Sequence, residues 1–258
     1  PIQSFAALCE ALANRLEFFM QNGCCITDHG LDTIPWNPSA PSPEAVFERA
    51  ASGEVVSFAE AEGYQAALLL YLAKAYKKGG LAMQLHYGVQ RNVNSLGFAA
   101  LGADAGYDCI ATPDAAHKLG ALLGAMATQN ALPKTILYSA NPTDNEMLAC
   151  LAGSFQGGGI PGWVQHGSAW WFNDSKRGME AQLSSLADIG VLGSFIGMLT
   201  DSRSFTSYTR HEYFLRVLCG LLGRRVENGE YPSEMDPLGG LVRDISYGNA
   251  ARFLHTGA

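Results

Sequence analysis

The sequence has few charged residues and lacks the marks of several protein classes. Charged side chains make up 16% of the 258 residues, and the formal net charge is −7. Nucleic-acid binders usually carry a basic patch, so we expect no nucleic-acid partner. No apolar run approaches the roughly 20 residues of a membrane span, so we expect no membrane partner. The start has neither the basic nor the apolar stretch of a signal peptide, which favours a cytoplasmic location.

The cysteines and glycines form no known functional motif. Cys24 and Cys25 are adjacent, which is neither a CxxC redox motif nor a zinc knuckle, so we expect free thiols and no disulfide. The glycine-containing loops match neither GxxxxGK[ST] nor GxGxxG, and there is no GxSxG elbow. A His-x-His pair is also missing, so this chain alone could not complete a barrel metallohydrolase site. Because the chain begins with Pro1 and directly enters a helical pattern, we expect a cut within a longer protein, and a processed start would give the same pattern.

Apolar spacing predicts alternating strands and helices. The predicted strands are residues 24–27, 81–86, 134–138, 163–166 and 195–199. Helices are predicted near residues 5–19, 43–52, 57–78, 112–129, 175–186, 207–226 and 237–254, and a further helix is predicted to begin at Thr143. Expected N-terminal caps are Thr112-Pro113, a capping box at Thr143–Glu146, and Asn173-Asp174.

This alternation indicates a parallel sheet that is covered by helices on its faces. About five strands are too few for a closed eight-stranded barrel. Either further strands escape this pattern, or N-terminal strands lie outside the chain.

Titratable side chains follow three of the predicted strands. Asp28 follows the first, His86 ends the second and Asp201 follows the last. The carboxyl ends of parallel strands meet at one edge, so we expect these side chains to converge on one pocket for acid–base catalysis. Alone, Asp201 is equally compatible with a loop ion pair or a helix cap, and His86 with a structural hydrogen bond.

Other polar and aromatic residues near these positions suit an oxygen-rich, anionic ligand. Arg91 and Arg203 could each hold a carboxylate or a pair of hydroxyls. Trp170 and Trp171 could stack on a sugar face, although paired tryptophans more often pack in a core or an interface.

Several stretches together closely resemble uronate isomerase, a divergent branch of the amidohydrolase superfamily. They are Thr27–Gly30, Met83–His86, Arg91-Asn92, Lys134–Tyr138, Asn141-Pro142, Asp144–Glu146, Trp170–Asp174, Gly197–Phe205, Arg210–Phe214 and Val226–Pro232. They run in order over nearly the entire chain. The resemblance implies the α/β class and a (β/α)8 TIM-type barrel of the metal-dependent hydrolase superfamily. Residues 1–258 would be its C-terminal part, with a helical insertion at residues 35–80.

The resemblance also implies an activity. Uronate isomerases interconvert D-glucuronate with D-fructuronate and D-galacturonate with D-tagaturonate, moving a proton between C2 and C1 through an enediol. By this resemblance Asp201 would bind the metal or shuttle protons, and Arg203 and His86 would contact the substrate, with Asp28 beside them. Together with the residue patterns above, we predict that Asp201, His86 and Asp28 are catalytic, that Asp201 is a metal ligand, and that the hexuronate is bound by Arg203, Arg91, Trp170 and Trp171.

The same resemblance implies a divalent metal, zinc or manganese. The family's His-x-His pair comes from its N-terminal half, so the metal site is incomplete in this chain. A homo-oligomer is expected. Two alternatives remain at this point: a metal-dependent amidohydrolase-type hydrolase acting on an anionic small molecule, and a non-catalytic sugar-acid binding protein.

Overall fold

A four-stranded parallel sheet lies at the centre of the computed structural model, which describes residues 2–111, 114–157, 159–202 and 204–255. In chain order the strands are β1 (Ile26–Leu31), β2 (Ala82–Tyr87), β3 (Val89–Gln90), β4 (Cys109–Ile110), β5 (Lys134–Ser139) and β6 (Val164–His166). The sheet order is β1-β2-β5-β6, and β3 pairs antiparallel with β4 beyond the end of β2. The sheet is therefore of the α/β type predicted from the alternating pattern.

Helices connect and cover these strands. They are α1 (Phe5–Gln21), α2 (Pro43–Ala51), α3 (Phe58–Lys78), α4 (Ser95–Leu101), α5 (Ala115–Thr128), α6 (Asn145–Ser154), α7 (Lys176–Ile189), α8 (Arg210–Glu227), α9 (Met235–Arg243) and α10 (Asn249–His255). The predicted helices at residues 5–19, 43–52 and 57–78 are confirmed by α1, α2 and α3. A capping box of Ser57 and Glu60 starts α3, because each side chain binds the other's backbone N–H.

The two faces of the sheet have different surroundings because side chains alternate along each strand. Met83, Leu85 and Leu137 face one side, where they pack in a core with the buried leucines of α3 and α5. Each such fully buried side chain contributes about 1.5–3 kcal/mol to the free energy of unfolding. Gln84, His86 and Tyr138 face the other side, which is the side of the cavity described below.

The expected last strand at residues 195–199 is wrong, because this segment forms no ladder with β6. Gly197 has a left-handed φ of +85°, which is incompatible with an extended strand. The backbone N–H of Ile196 donates instead to Oε1 of Gln165, at 3.2 Å. Hydrogen bonds to side chains therefore hold this apolar segment, whereas the sequence predicted backbone pairing with a neighbouring strand.

Two expected helix caps are also wrong. Before α6, Asn141 Oδ1 accepts the backbone N–H and the hydroxyl of Thr143, and residues 142–144 form a 3-10 turn. Ser175 caps α7, because its hydroxyl accepts the N–H of Gly178. Asn173 lies two residues before this cap, and its side-chain amide donates instead to the Ala140 carbonyl, at 3.1 Å.

The other helix and strand boundaries differ less from the predicted ones. β1 begins at Ile26 and runs to Leu31, so Asp28 lies within the strand. The helix expected at residues 237–254 is interrupted between α9 and α10 by a π-helical turn at Asp244–Gly248. The expected cap at Thr112-Pro113 lies outside the described residues.

The six cysteines are free thiols. In the described part of the chain, no helix combines the length and the apolar character needed to cross a bilayer.

Candidate active site

A cavity of about 810 Å³ opens over one face of the sheet, towards the carboxyl ends of its strands. Three groups of described residues line it, from the sheet, from the β3–β4 region and from the segments after β6. They are Asp28, Gln84, His86 and Tyr138; Arg91, Asp104, Gly106 and Asp108; and Trp170, Trp171, Phe172, Asp174, Leu199, Thr200, Asp201 and Arg210. Asp28, His86 and Asp201 thus share one cavity, as predicted, although Asp28 lies within β1 and Asp201 follows a segment that is not a strand.

His86 and Asp28 form a pair across neighbouring strands. Nδ1 of His86 lies 2.9 Å from Oδ1 of Asp28, and the Cα partner of His86 on β1 is Gly30. A Cβ built on Gly30 would stand 2.7 Å from Nε2 of His86, so a glycine is needed for the imidazole to lie across β1. With Nδ1–H directed at the carboxylate, Nε2 is the ring nitrogen left to exchange a proton.

Asp201 is held by the indole of Trp170. Nε1–H of Trp170 donates to Oδ2 of Asp201 at 2.7 Å, and the Trp170 ring lies 5.0 Å from the His86 ring. Asp201 is exposed and has a left-handed φ of +41°. The Trp170 side chain therefore binds the carboxylate of Asp201 and lies beside His86 of the His86–Asp28 pair.

Tyr138 and Gln84 lie at the base of the cavity. The Tyr138 hydroxyl donates to Oε1 of Gln84 at 2.8 Å. Burial raises the pKa of Tyr138, and the charge of Asp28 adds to this effect. The phenol therefore stays protonated and can only donate or accept hydrogen bonds near neutral pH.

Arg91 is held by two aspartates and an aromatic ring. Its guanidinium lies 2.9 Å from Asp108 and 3.7 Å from Asp104, and 4.9 Å above the Trp171 ring. The backbone N–H of Asn92 also donates to Asp108, and this bond, together with Arg91, lowers the pKa of the Asp108 carboxyl. Asp108 therefore stays charged and holds Arg91 at the cavity wall.

Arg210 is a second cavity arginine, which the sequence reasoning missed. It pairs with Asp174 at 2.6 Å and donates to the carbonyl oxygen of Thr200 at 2.8 Å. Burial raises the pKa of Asp174, and the charge of Arg210 opposes that rise. Arg210 begins the stretch Arg210–Phe214, which is part of the family resemblance, and that resemblance was the signal that could have identified it.

The structure thus brings most of the predicted site residues together. Asp28, His86, Asp201, Arg91, Trp170 and Trp171 line the cavity, whereas Arg203 lies outside the described residues. Their individual catalytic and binding roles stay predictions. Of the additional lining residues, Gln84, Tyr138, Asp174 and Arg210 lie in stretches that carry the family resemblance, whereas Asp108 does not. None of them could be paired with its partner from the sequence, because the partners meet only in the folded chain.

The described lining is acidic and does not complete a metal site. It contains five aspartates and two arginines, which leaves a net charge of −3 with histidine neutral. Among the described residues, no three His, Cys, Asp or Glu side chains gather closely enough to hold a metal ion. The described residues therefore do not by themselves fit the divalent metal expected from the resemblance.

His166 ends β6 but does not line the cavity. Its ring is buried, and its Nδ1 has no hydrogen-bond partner within the described part of the chain. Burial lowers the pKa of His166 to about 4. The side chain is therefore neutral in the folded protein near neutral pH.

We expect His166 to make the protein less stable in mild acid. An unfolded histidine has a pKa of about 6.5, so the unfolded chain binds more protons between that pH and about 4. The contribution of neutral His166 to the free energy of unfolding is complete above about pH 6.5 and is lost as the pH falls towards 4. The loss amounts to about 3 kcal/mol. Urea unfolding at pH 7, 5.5 and 4.5 measures this loss.

His166→Leu should remove this part of the pH dependence, whereas His117→Gln, which changes an exposed histidine, should retain it. An identical pH dependence in His166→Leu and the unsubstituted protein would contradict the assignment.

Comparison with known proteins gives a consistent result. The family model described as glucuronate isomerase matches residues 1–254. The uronate isomerases of Lachnoclostridium phytofermentans and Shouchella clausii are 48% and 49% identical over 253 residues, or 98% of this chain. Those residues cover 54% of each relative, so the chain spans about half the length of the curated relatives it matches.

Solved structures agree with the sequence matches. Uronate isomerase from Thermotoga maritima is similar with a TM-score of 0.87 and 31% identity, over 97% of this chain and 54% of that one. Glucuronate isomerase from Caulobacter crescentus gives a TM-score of 0.85 and 28% identity, over 99% of this chain and 52% of that one. The match of nearly all of this sequence, together with these two similar folds, shows that the chain belongs to the glucuronate isomerase family.

Proposed function

We propose that this chain forms part of a hexuronate isomerase active site. The complete protein would interconvert D-glucuronate with D-fructuronate, and D-galacturonate with D-tagaturonate. The observation that carries the proposal is the family match over residues 1–254. The cavity supports it, because it combines carboxylates, an imidazole, a phenol and two arginines on one face of the sheet.

The reaction requires a balanced transfer of protons. A base takes the proton from C2, and O1 gains a proton as the enediol forms. Reprotonation at C1 and loss of the proton from O2 then give the ketose. Asp201 is proposed as the carboxylate that carries the proton between the two carbons. His86, oriented by Asp28, is proposed to exchange protons with the sugar oxygens, since a neutral imidazole can both donate and accept.

The sugar's own carboxylate and hydroxyls need separate contacts. Arg91 and Arg203 are proposed to bind the carboxylate, and Trp171 to border the ring. Arg91 already contacts Asp108, Asp104 and Trp171, so it would approach the substrate from a fixed position. Such a preset arginine loses less freedom on binding than a mobile one.

The sheet is proposed to be part of a (β/α)8 barrel of the metal-dependent hydrolase superfamily. Its cavity lies towards the carboxyl ends of parallel strands, where such barrels place their chemistry. Residues 1–258 would be the C-terminal part of that barrel, and residues 35–80, with α2 and α3, its helical insertion. The edge strands β1 and β6 would meet strands of the remaining part.

A divalent metal, zinc or manganese, is proposed for the complete protein, with Asp201 as one ligand. The described lining has a net charge of −3, whereas a hexuronate is an anion, so cations beyond these residues are needed to bind it. The remaining metal ligands would lie outside this chain. A homo-oligomer and a cytoplasmic location are also proposed, and the free thiols suit a reducing compartment.

Isomerisation in heavy water tests the proposed reaction. The complete gene product is incubated with D-glucuronate or D-galacturonate, with a divalent metal and without any redox cofactor, and NMR follows the ketose. We expect ketose formation with deuterium entering at C1, because a proton held by an enzyme group exchanges with solvent. Absence of ketose would overturn the function. Ketose with no deuterium at C1 over many turnovers would instead favour direct hydride transfer from C2 to C1 over proton transfer through an enediol.

A further inference from the structure

The segment that carries Asp201 is held by side chains from one neighbouring stretch of chain. Gln165 accepts the backbone N–H of Ile196 at 3.2 Å, and Ser168 accepts that of Leu199 at 3.5 Å. Trp170 then donates to Asp201 itself, at 2.7 Å. β6 and the residues after it therefore supply a series of side-chain hydrogen bonds in place of a strand ladder.

Asp201 has an uncommon backbone conformation. Its φ of +41° lies in the left-handed region, which few non-glycine residues adopt, and contacts around Asp201 help to maintain it there. Arg210 binds the preceding carbonyl, that of Thr200, and leaves the carboxylate of Asp201 to be oriented by another group. The indole N–H of Trp170 is the described group that does so.

The Trp170 ring is poorly placed to stack on a sugar. Only 7% of the residue is exposed. The His86 ring lies 5.0 Å from it, and the Trp171 ring packs against it in an edge-on arrangement at 5.4 Å. An aromatic platform for a sugar needs an open face, and these neighbours already occupy the ring's surroundings.

We propose that Trp170 is a positioning residue, which acts through Asp201 by its indole N–H and borders His86 with its ring. It keeps the two acid–base groups at a fixed separation across the cavity. The inference rests on the proposed isomerase function and replaces the predicted sugar-stacking role of Trp170. The hydrogen bond itself can be tested without catalysis.

A double-mutant cycle in the complete gene product tests the positioning role. Trp170→Phe keeps a ring and removes the N–H donor, so we expect kcat to fall about 10-fold while KM changes little. Because the residue acts through Asp201, adding Trp170→Phe to Asp201→Asn should slow the enzyme little further. The matched control is Trp163→Phe, the same change in a tryptophan that packs against the core away from the cavity, which should retain the unsubstituted kcat.

Two kinetic results would overturn the inference. In the first, the fold-decreases in kcat of the two single variants multiply in the double variant, which indicates that the two residues act independently. The second is a raised KM with unchanged kcat, which indicates the sugar platform. If the unsubstituted protein makes no ketose, the proposed function has failed, and the hydrogen bond is then judged from its vibrational spectrum.

Ultraviolet resonance Raman spectroscopy provides that readout, because one indole vibration responds to hydrogen bonding at N–H. The difference spectrum between the unsubstituted protein and Asp201→Ala should show one indole losing a strong acceptor. This measurement tests the hydrogen bond between Trp170 and Asp201 even if Trp170→Phe does not fold. An unchanged indole band in Asp201→Ala would overturn the proposed contact.

Discussion

Asp201→Asn in the complete gene product is expected to fold normally and to lose about 10²-fold or more in turnover. The substitution removes the negative charge and the basicity and leaves the shape of the side chain nearly unchanged. An amide oxygen can still accept the indole N–H of Trp170, now 2.7 Å from Oδ2, so the local structure should survive. Initial rates with D-glucuronate and the midpoint of thermal unfolding are the two measurements.

Asp236→Asn is the matched control, since it makes the same change at an exposed aspartate in the first turn of α9. It should leave turnover unchanged. If Asp201 only caps a loop, the pattern reverses, and Asp201→Asn lowers the unfolding temperature while isomerisation stays near normal. Near-normal isomerisation would remove Asp201 from the catalytic assignment.

The sequence predicted the central strands because their signal is local. Residues 81–86 and 134–138 are apolar runs bounded by turn residues, and β2 and β5 each lie within one residue of the predicted ends. Titratable residues at the ends of such strands were expected to meet, and Asp28 and His86 do so at 2.9 Å. Parallel pairing in register is what brings these two side chains to the same face.

Contacts between distant segments could not be predicted in this way. Arg210 pairs with Asp174, and Arg91 with Asp108, across 36 and 17 positions of the sequence. Neither pair has a periodic or spaced motif, because each depends on how loops fold over the sheet. The charged residues of the cavity were therefore only partly predicted, and the net negative charge of its described lining became apparent only with the structure.

The segment before Asp201 explains why its local pattern was misleading. Residues 195–199 are apolar enough to predict a strand, but a strand also needs backbone groups free to form a ladder. Gly197 turns the chain, and Gln165 and Ser168 provide the hydrogen-bond acceptors instead. Composition alone cannot show whether the backbone groups of such a segment bind to a neighbouring strand or to side chains.

Gly197→Ala is expected to lower the free energy of unfolding by about 4 kcal/mol and the unfolding temperature by about 10 °C. Two separate costs add at this position. A φ of +85° is unfavourable for alanine, and the new Cβ would stand 2.3 Å from the backbone carbonyl oxygen of Ile245. Ile245 is fully buried within the π-helical turn, so this oxygen cannot swing away as the end of a flexible side chain would.

Gly229→Ala separates the two costs. Gly229 has a similar φ of +75°, and nothing lies within 4 Å of a Cβ built there, so only the backbone penalty of about 1–2 kcal/mol applies. The difference between the two variants measures the close approach of Ile245 to Gly197. Equal unfolding temperatures would show that the turn before Asp201 relaxes freely. A larger loss in Gly197→Ala would instead show that the π-helical turn holds the segment carrying Asp201 against the rest of the fold.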